Sequence, residues 1–401
     1  VEQFILLQCI HQFYLLMTGY KEIFLRAYKN EVYADSCFND KAGLKQVLGF
    51  KMIKPYKVLN KVTANTWFWK LSLKSLIIFW PLINFFLSSV LFTRAILYKL
   101  RMPKKDLKKG KIYLNFSSRL QALVDKLPEN ERPDQWIELN SSQNDDMHIS
   151  IYNLTSFKVI IRSWFLSIMS PFYLKSISSE RYQFLLSYSS FNWFLTYDTL
   201  KRQKIKSIYY ANHYDRWAIL FDNLRVESIT LIQHGLLSAE FSPPVKSVAV
   251  TKLFCYNKRE ADYFLSLIVD NAKCVINYLS SNIQFNIHPN KETFSILFIS
   301  CLPITLTREI EILKLIDNDV SVYIKTHPVY PTKEYADLLK QFSFKLLDQR
   351  DSFPNTDLII SYNSTLAYEY EMSGKNVIYY DEHTSDEIAK NITKIKKTKR
   401  I

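Results

Sequence analysis

The chain has 401 residues, 48% of them hydrophobic, which is enough to bury a sizeable core and to form two domains plus an extension. Its formal charge of +14 calls for a polyanionic partner, whether nucleic acid, an acidic membrane surface or a phosphorylated substrate. The five cysteines (Cys9, Cys37, Cys255, Cys274 and Cys301) are scattered and never two or three apart, which argues against a disulfide framework or a zinc site and suits a reducing cytosol.

Residues 4–17 are largely apolar but lack a basic n-region and an Ala-x-Ala-like cleavage site, so no signal peptide is expected; with Val at position 1, the natural start is expected upstream. Residues 1–110, rich in aromatics and Lys, read as a helical extension. Within them Leu76–Thr93 runs for 18 positions without a charge, just long enough to nominate a transmembrane helix. Pro81 and Asn84 interrupt it, and both flanks are basic, with Lys70 and Lys74 before and Arg94, Lys99 and Arg101 among those after. Spanning would leave one basic flank on the outer side, so the expectation is a segment lying in the inner leaflet with Trp80 and the Phe residues inserted. The competing reading is a buried helix of the first domain. The tail Lys390–Ile401, with six basic residues in twelve, either adds to the same surface or is a frayed end.

From Lys111 the pattern alternates strand and helix. Strands are expected at Ile112–Phe116, Trp136–Leu139, Ser207–Tyr210, Ile229–Ile232, Leu253–Tyr256 and Cys274–Tyr278, with helices at Arg119–Lys126 and Arg259–Leu267. Asn153–Leu200 is an aromatic, mostly helical insertion without an assigned place. After a polar linker, Leu279–Thr293, a second block carries strands at Ser295–Ile299, Ser321–Ile324, Phe344–Leu347, Leu358–Ile360 and Val377–Tyr380. Its helices are Thr307–Ile316, Lys333–Gln341 and Leu366–Met372. The expected class is therefore α/β: two doubly wound Rossmann-type domains facing a cleft, 111–280 and 281–401.

No Gly-x-Gly-x-x-Gly, Walker A or His-Glu-x-x-His run occurs, which disfavours dinucleotide oxidoreductases, P-loop NTPases and zincins. Asp317-Asn-Asp319 falls in a turn at the amino edge of the sheet and reads as a solvated turn, so no metal is implied. Candidate chemistry gathers where strands end. Gln233-His234-Gly235 puts an imidazole at the rim of the first domain, able to act as a base or to donate to phosphate. Asn212-His213-Tyr214-Asp215-Arg216 follows another strand; Asp215 is a candidate base or nucleophile and Arg216 a candidate partner for a substrate anion. The competing reading there is a helix cap with an internal Asp to Arg pair.

In the second block, Lys325-Thr-His327-Pro328 offers donors to a diphosphate, and Ser364 and Thr365 offer hydroxyls and helix N-terminal N–H groups to the same anion. Glu369, one turn into that helix, faces the ribose hydroxyls on this reading; otherwise it is a solvated carboxylate.

The order His-Gly, Lys-x-His-Pro, then Ser361-Tyr-Asn-Ser-Thr-Leu-Ala-Tyr-Glu369 and Gly374-Lys-Asn-Val-Ile-Tyr-Tyr380 resembles bacterial surface-polymer transferases of the GT-B fold. These are the CDP-glycerol glycerophosphotransferases, capsule Kdo transferases and bacterial sialyl- and polysialyltransferases. The resemblance covers about residues 205–381 and departs from the glycerophosphotransferase pattern at Tyr362, Asn363 and Asn376. The acidic pair followed by Gly that supplies the base in many sialyltransferases is absent. It implies that His327, Ser364 and Thr365 bind the phosphate of a cytidine nucleotide and that Glu369 contacts its ribose. By the resemblance the chain is a metal-independent glycosyltransferase, with the acceptor on 111–280 and the nucleotide donor on 281–401; from their strand-end positions Asp215 and His234 are expected as the catalytic pair, with Asn212, His213, Arg216, Gln233 and Gly235 around the substrate. No cofactor is implied beyond a CMP- or CDP-linked co-substrate, and the CMP-activated sugar is of the Kdo or sialic acid type. The acceptor is a cell-surface glycan or lipid-linked, and the location is the inner face of the bacterial plasma membrane. A CDP-polyol phosphotransferase is the second transferase reading; a basic nucleic-acid-binding protein or a non-catalytic scaffold are readings of other classes. Nucleic acid is not an expected partner, because the Lys clusters sit beside an apolar run and in the tail rather than interleaved with aromatics.

Overall fold

The computed structural model describes residues 18–34, 67–101, 107, 110–115, 121–139, 147–177, 181–236, 241–281, 283–300, 306–326, 333–339, 341–347, 352–362, 364–381 and 383–399. Among the described residues, two helices precede the first sheet: α1 (18–34) and α2 (Trp67–Arg101), the latter continuing through Pro81. The chain then runs β1 (Lys111–Asn115), α3 (Gln121–Val124), β2 (Gln135–Glu138), β3 (His148–Ser150), α4 (Ile151–Leu154), α5 (Phe157–Leu174) and α6 (Ser190–Leu200). It continues through β4 (Ser207–Tyr210), α7 (Arg216–Leu220), β5 (Ser228–Ile232), β6 (Lys252–Cys255), α8 (Lys258–Leu267) and β7 (Val275–Tyr278).

The rear unit comprises β8 (Ser295–Ile299), α9 (Leu306–Leu313), β9 (Ser321–Lys325), α10 (Lys333–Leu338), β10 (Lys345–Leu347), β11 (Leu358–Ser361), α11 (Thr365–Met372), β12 (Asn376–Tyr379) and α12 (Ser385–Lys399).

Both sheets are parallel. The first has seven strands in the order β3-β2-β1-β4-β5-β6-β7, and the second has five in the order β10-β9-β8-β11-β12. Counted within each unit, both orders begin 3-2-1-4-5, which is the doubly wound arrangement expected from the alternating pattern. The strand order reverses direction between β1 and β4, where Ile112 pairs with Ile208, and between β8 and β11, where Ile299 pairs with Ser361. Those two seams are the topological switch points, and ligands of open α/β sheets bind beyond the carboxyl ends of the strands there. The strands read as continuous apolar runs because helices cover both faces; all five residues of β8 are buried.

The aromatic insertion has a definite place. It is the crossover that carries the chain from β3, at one edge of the first sheet, back to β4 at its centre. Its helices share one core with α1 and α2, in which Phe24 stacks on Phe194 at 4.9 Å and Trp193 on Tyr197 at 5.6 Å. A buried carboxylate, Asp198, ties the bundle together: it accepts from Tyr20 Oη at 2.5 Å and from Arg162 Nε at 2.9 Å.

Two elements differ from expectation. Strand β3 falls in a polar stretch whose three residues carry too little pattern to stand out; pairing with β2, Ile137 opposite Ile149, makes it a strand. The basic tail is a helix, α12, rather than a frayed end. Ile388 and Ile392 are buried in the rear core with Ile395 packed beside them, and Lys396 Nζ lies 3.0 Å from Asp317 and 2.5 Å from Asp319. The turn read as solvated thus holds a lysine of the tail.

Candidate active site

The loop after β4 lies at the first switch point. Asp215 caps α7: its carboxylate accepts from the backbone N–H groups of Trp217 at 2.9 Å and Ala218 at 3.3 Å, and from Asn212 Nδ2 at 2.8 Å. Burial pushes the Asp215 carboxyl above the usual carboxylate range, and the hydrogen bond from Asn212 is the largest opposing effect. The expected internal pair forms with a different acid. Arg216 donates from Nη1 to Glu31 Oε1 at 3.3 Å, from Nη2 to Ser189 Oγ, and stacks over the Tyr28 ring at 5.1 Å. Its charge is therefore spent on fastening α1 to the front unit, and it is buried there.

His213 is buried, and among the described residues neither ring nitrogen has a hydrogen-bond partner. Its ring sits 4.6 Å from that of His234 and 5.2 Å from Phe264, and Gly235 passes beside it, where a Cβ would meet His213 Cε1 at 4.0 Å. Burial, and then the neighbouring His234, push the His213 pKa well below the usual histidine value.

His234 is half-buried and its Nδ1 is bonded to the Ala211 carbonyl. A carbonyl only accepts, so Nδ1 carries the proton and the Nε2 lone pair faces elsewhere. Burial also lowers the His234 pKa, which keeps the ring neutral near pH 7. Gln233 is fully engaged inside the protein. Its Nε2 donates to Glu260 at 2.5 Å and to the Gly235 carbonyl at 3.0 Å, while its Oε1 accepts from Tyr256 N at 3.0 Å.

At the second switch point Ser361 Oγ donates to the Ile299 carbonyl at 3.1 Å, tying β11 to β8. Ser364 caps α11, its Oγ accepting from Leu366 N at 3.3 Å, and Thr365 opens the helix. Lys325 ends β9, one strand away from the seam; its Nζ donates to the Ser352 carbonyl at 3.0 Å and lies 4.9 Å from the centre of the Phe353 ring. His327, the expected phosphate ligand, lies outside the described residues. Glu369 is partly shielded rather than a free surface carboxylate: Lys126 Nζ, just after α3 in the first-sheet unit, stands 2.5 Å from its Oε1.

Helix α11 is where the two units meet. Tyr368 lies in one apolar cluster with Ala211, Ile232 and Tyr256, all at the carboxyl ends of front-sheet strands, and its ring stacks on Tyr256 at 5.7 Å. Its Oη donates to Glu260 at 3.2 Å. Asn257 Nδ2 donates to Glu371 at 3.3 Å, and Arg259 lies 3.7 Å from Asp381. The carboxyl edge of the front sheet thus packs against the helix that begins at the rear sheet's switch point.

Reading the sequence missed Lys126, Tyr368 and Glu260. Asn257-x-x-Glu260 does carry the spacing of a capping box, and Asn257 Oδ1 accepts from Glu260 N at 3.0 Å. The Glu260 side chain, however, turns to Gln233 and Tyr368 instead of back to the cap. Lys126 and Tyr368 carry no local signal, since the acids they meet, Glu369 and Glu260, lie more than a hundred positions away.

No family model and no curated protein sequence matches the chain. Among solved structures, it is similar to a UDP-GlcNAc 2-epimerase from Neisseria meningitidis bound to UDP-GlcNAc, at 12% identity and a TM-score of 0.37 over 70% of this chain and 84% of that one. The wall teichoic acid polymerase TagF gives 9% identity and a TM-score of 0.37 over 79% and 90%, and a Thermobaculum terrenum O-GlcNAc transferase mutant gives 10% and 0.35 over 77% and 68%. At these values the functional reading rests on the chain's own geometry, and what stands is an α/β chain with two doubly wound parallel sheets.

Proposed function

We propose that the chain is a transferase that holds a nucleotide-activated donor at the rear switch point and passes its group to an acceptor at the front one. The observation that carries this reading is the meeting of the two carboxyl edges. One side presents His234 with its Nε2 lone pair uncommitted to Ala211, and the other presents the capped N-terminus of α11 at the β8/β11 seam. A base and an anion site on opposed units are what group transfer from a nucleotide requires.

In the reaction, an acceptor hydroxyl loses its proton to His234 Nε2 and its oxygen bonds to the donor's anomeric carbon. The bond from that carbon to the phosphate oxygen breaks, and the departing nucleotide carries the negative charge. The N–H groups and hydroxyls of Ser364 and Thr365, joined by His327 on the motif resemblance, favour that charge as it develops. Because the Asp215 carboxylate is committed to the α7 cap and Asn212, it acts here as a positioning residue. His234 as the base then gives a direct displacement with inversion. Arg216 and Gln233 likewise hold the front loops, and Lys325, through the Ser352 carbonyl, braces the end of β9. Glu369 reaches ribose only by exchanging its bond to Lys126.

By the motif resemblance the donor is a CMP-activated acidic sugar of the Kdo or sialic acid type, and the acceptor a surface glycan or its lipid-linked precursor. The same motifs fit a CDP-polyol donor attacked at phosphorus. Incubation with CMP-Kdo, CMP-sialic acid and CDP-glycerol, with release of CMP as readout, separates the two. Wild-type protein releases CMP from one donor class, and His234→Ala slows that release by about 100-fold or more. A chain that CMP and CDP fail to stabilise in a thermal-shift assay, and that turns over none of the three donors, is not this enzyme.

A further inference from the structure

Helix α2 is built inside out for a surface helix. Its polar and small residues face the protein: Asn84 and Ser88 are buried, Asn84 Nδ2 donates to the Ser167 carbonyl at 2.8 Å, and Ser88 Oγ meets Ser167 Oγ at 2.5 Å. Its large apolar residues face out, with Ile78 71% exposed, Phe86 59% and Val90 66%. On a wheel of roughly 100° per residue, Ile78, Leu82 and Phe86 fall on the side opposite Asn84 and Ser88. Helix α5 repeats the pattern: Ser163 and Ser167 are buried while Phe157, Ile161 and Phe165 are exposed. The two exposed faces meet at Trp164, which packs on Phe85 at 6.1 Å and Phe92 at 5.4 Å and donates from Nε1 to Ser89 at 3.1 Å. They form one continuous apolar surface from segments some eighty positions apart in the chain.

The charge carried by these two helices has one sign. Within Trp67–Arg101 and Phe157–Leu174 the sequence holds seven cations (Lys70, Lys74, Arg94, Lys99, Arg101, Lys158 and Arg162, the last paired with Asp198 inside the bundle) and no Asp or Glu. Arg94, Arg101 and Lys158 are exposed. A second copy of the chain docking on this face would set cation against cation; an anionic lipid surface meets it with opposite charge. We propose that α2 and α5 together form a monotopic docking face that seats the front unit in the headgroup boundary of an anionic bilayer, with α2 lying in the plane. An in-plane helix keeps the bonds of Asn84, Ser88 and Trp80 to the bundle, whereas a spanning one would strip them, since Trp80 Nε1 also donates to Ser187 at 2.8 Å. The proposal is independent of the transferase reading, because neither helix contributes a residue to the site.

The test is flotation of the full chain with vesicles of phosphatidylcholine, alone or with one lipid in three replaced by phosphatidylglycerol. The wild type floats with the anionic vesicles, more weakly with the neutral ones, and binds less at high salt. Phe86→Asp with Val90→Asp, and separately Ile161→Asp, each weaken flotation by about tenfold with an unchanged melting temperature. Alkaline carbonate releases the wild type from membranes. Four results overturn the proposal: no flotation of the wild type with anionic vesicles; flotation of Ile161→Asp equal to the wild type; carbonate-resistant retention; or a dimer that Ile161→Asp dissolves while vesicle binding is absent.

Discussion

Lys126 Nζ lies 2.5 Å from Glu369 Oε1, and the two belong to different units of the molecule. With both side chains largely shielded, 12% and 21% exposed, this ion pair ties the front unit to α11 near the helix start proposed as the anion site. A carboxylate expected to meet a ribose is therefore already neutralised from across the interface.

Breaking that pair from one side leaves a shielded charge without its partner. Lys126→Met is expected to cost about 1–3 kcal/mol in urea unfolding, and Lys126→Met with Glu369→Gln less than the sum of the single changes. A double-mutant cycle with no coupling between the two removes the contact as a source of stability. If Glu369 also serves the nucleotide, CMP binds Lys126→Met more tightly than wild type, because the acid no longer has to be pulled from the lysine.

Glu260 is fully buried and accepts from both Gln233 and Tyr368. Glu260→Leu removes the buried acceptor that the Gln233 amide and the Tyr368 hydroxyl share and is expected to cost about 3–5 kcal/mol, while Glu260→Gln keeps an acceptor and costs less. Equal losses for the two variants, measured by chemical denaturation, dismiss the hydrogen bonds as the cause.

The two neighbouring histidines, His213 and His234, make stability pH-dependent. Both have pKa values lowered by burial, so between the folded value and the unfolded one of about 6.5 the unfolded chain binds more protons. Stability contributed by the neutral rings is present above that unfolded value and falls as the pH drops below it. Unfolding free energies measured from pH 7.5 down to about 5.5 should decline, and His213→Phe should flatten the slope. A slope identical to wild type means that His213 does not titrate between the two states.

The tail helix separates packing from charge. Ile388 is fully buried in the rear core, so Ile388→Ala is expected to cost about 2–5 kcal/mol. Lys396 bridges Asp317 and Asp319 where both acids remain more than half exposed, so Lys396→Ala costs at most about 1 kcal/mol. The reverse ranking in thermal unfolding would show that the helix is held by its ion pairs.

Much of the architecture was legible locally. Ser207–Tyr210 and Ser295–Ile299 are strands at the bounds that their apolar runs imply, because a strand covered on both faces needs no partner-specific feature to be recognised. Ser364 and Asp215 cap helices as their residue types dictate, since a cap bonds backbone only two or three positions away. The tail was harder: its lysines outnumber the Ile388, Ile392, Ile395 stripe, and only contact with the rear core makes that stripe decisive.

What the sequence by itself determined is the order of strands and helices, the two strand-end motifs and the uncharged run in α2, all consequences of hydrophobic period and short-range hydrogen bonding. The tertiary structure alone decided which acid holds Arg216, which lysine occupies Glu369 and which side of α2 faces outward. Those choices join residues from about eighty to more than two hundred positions apart. At that range the partner is selected by how the packed layers fall together, and no local pattern of side chains records it.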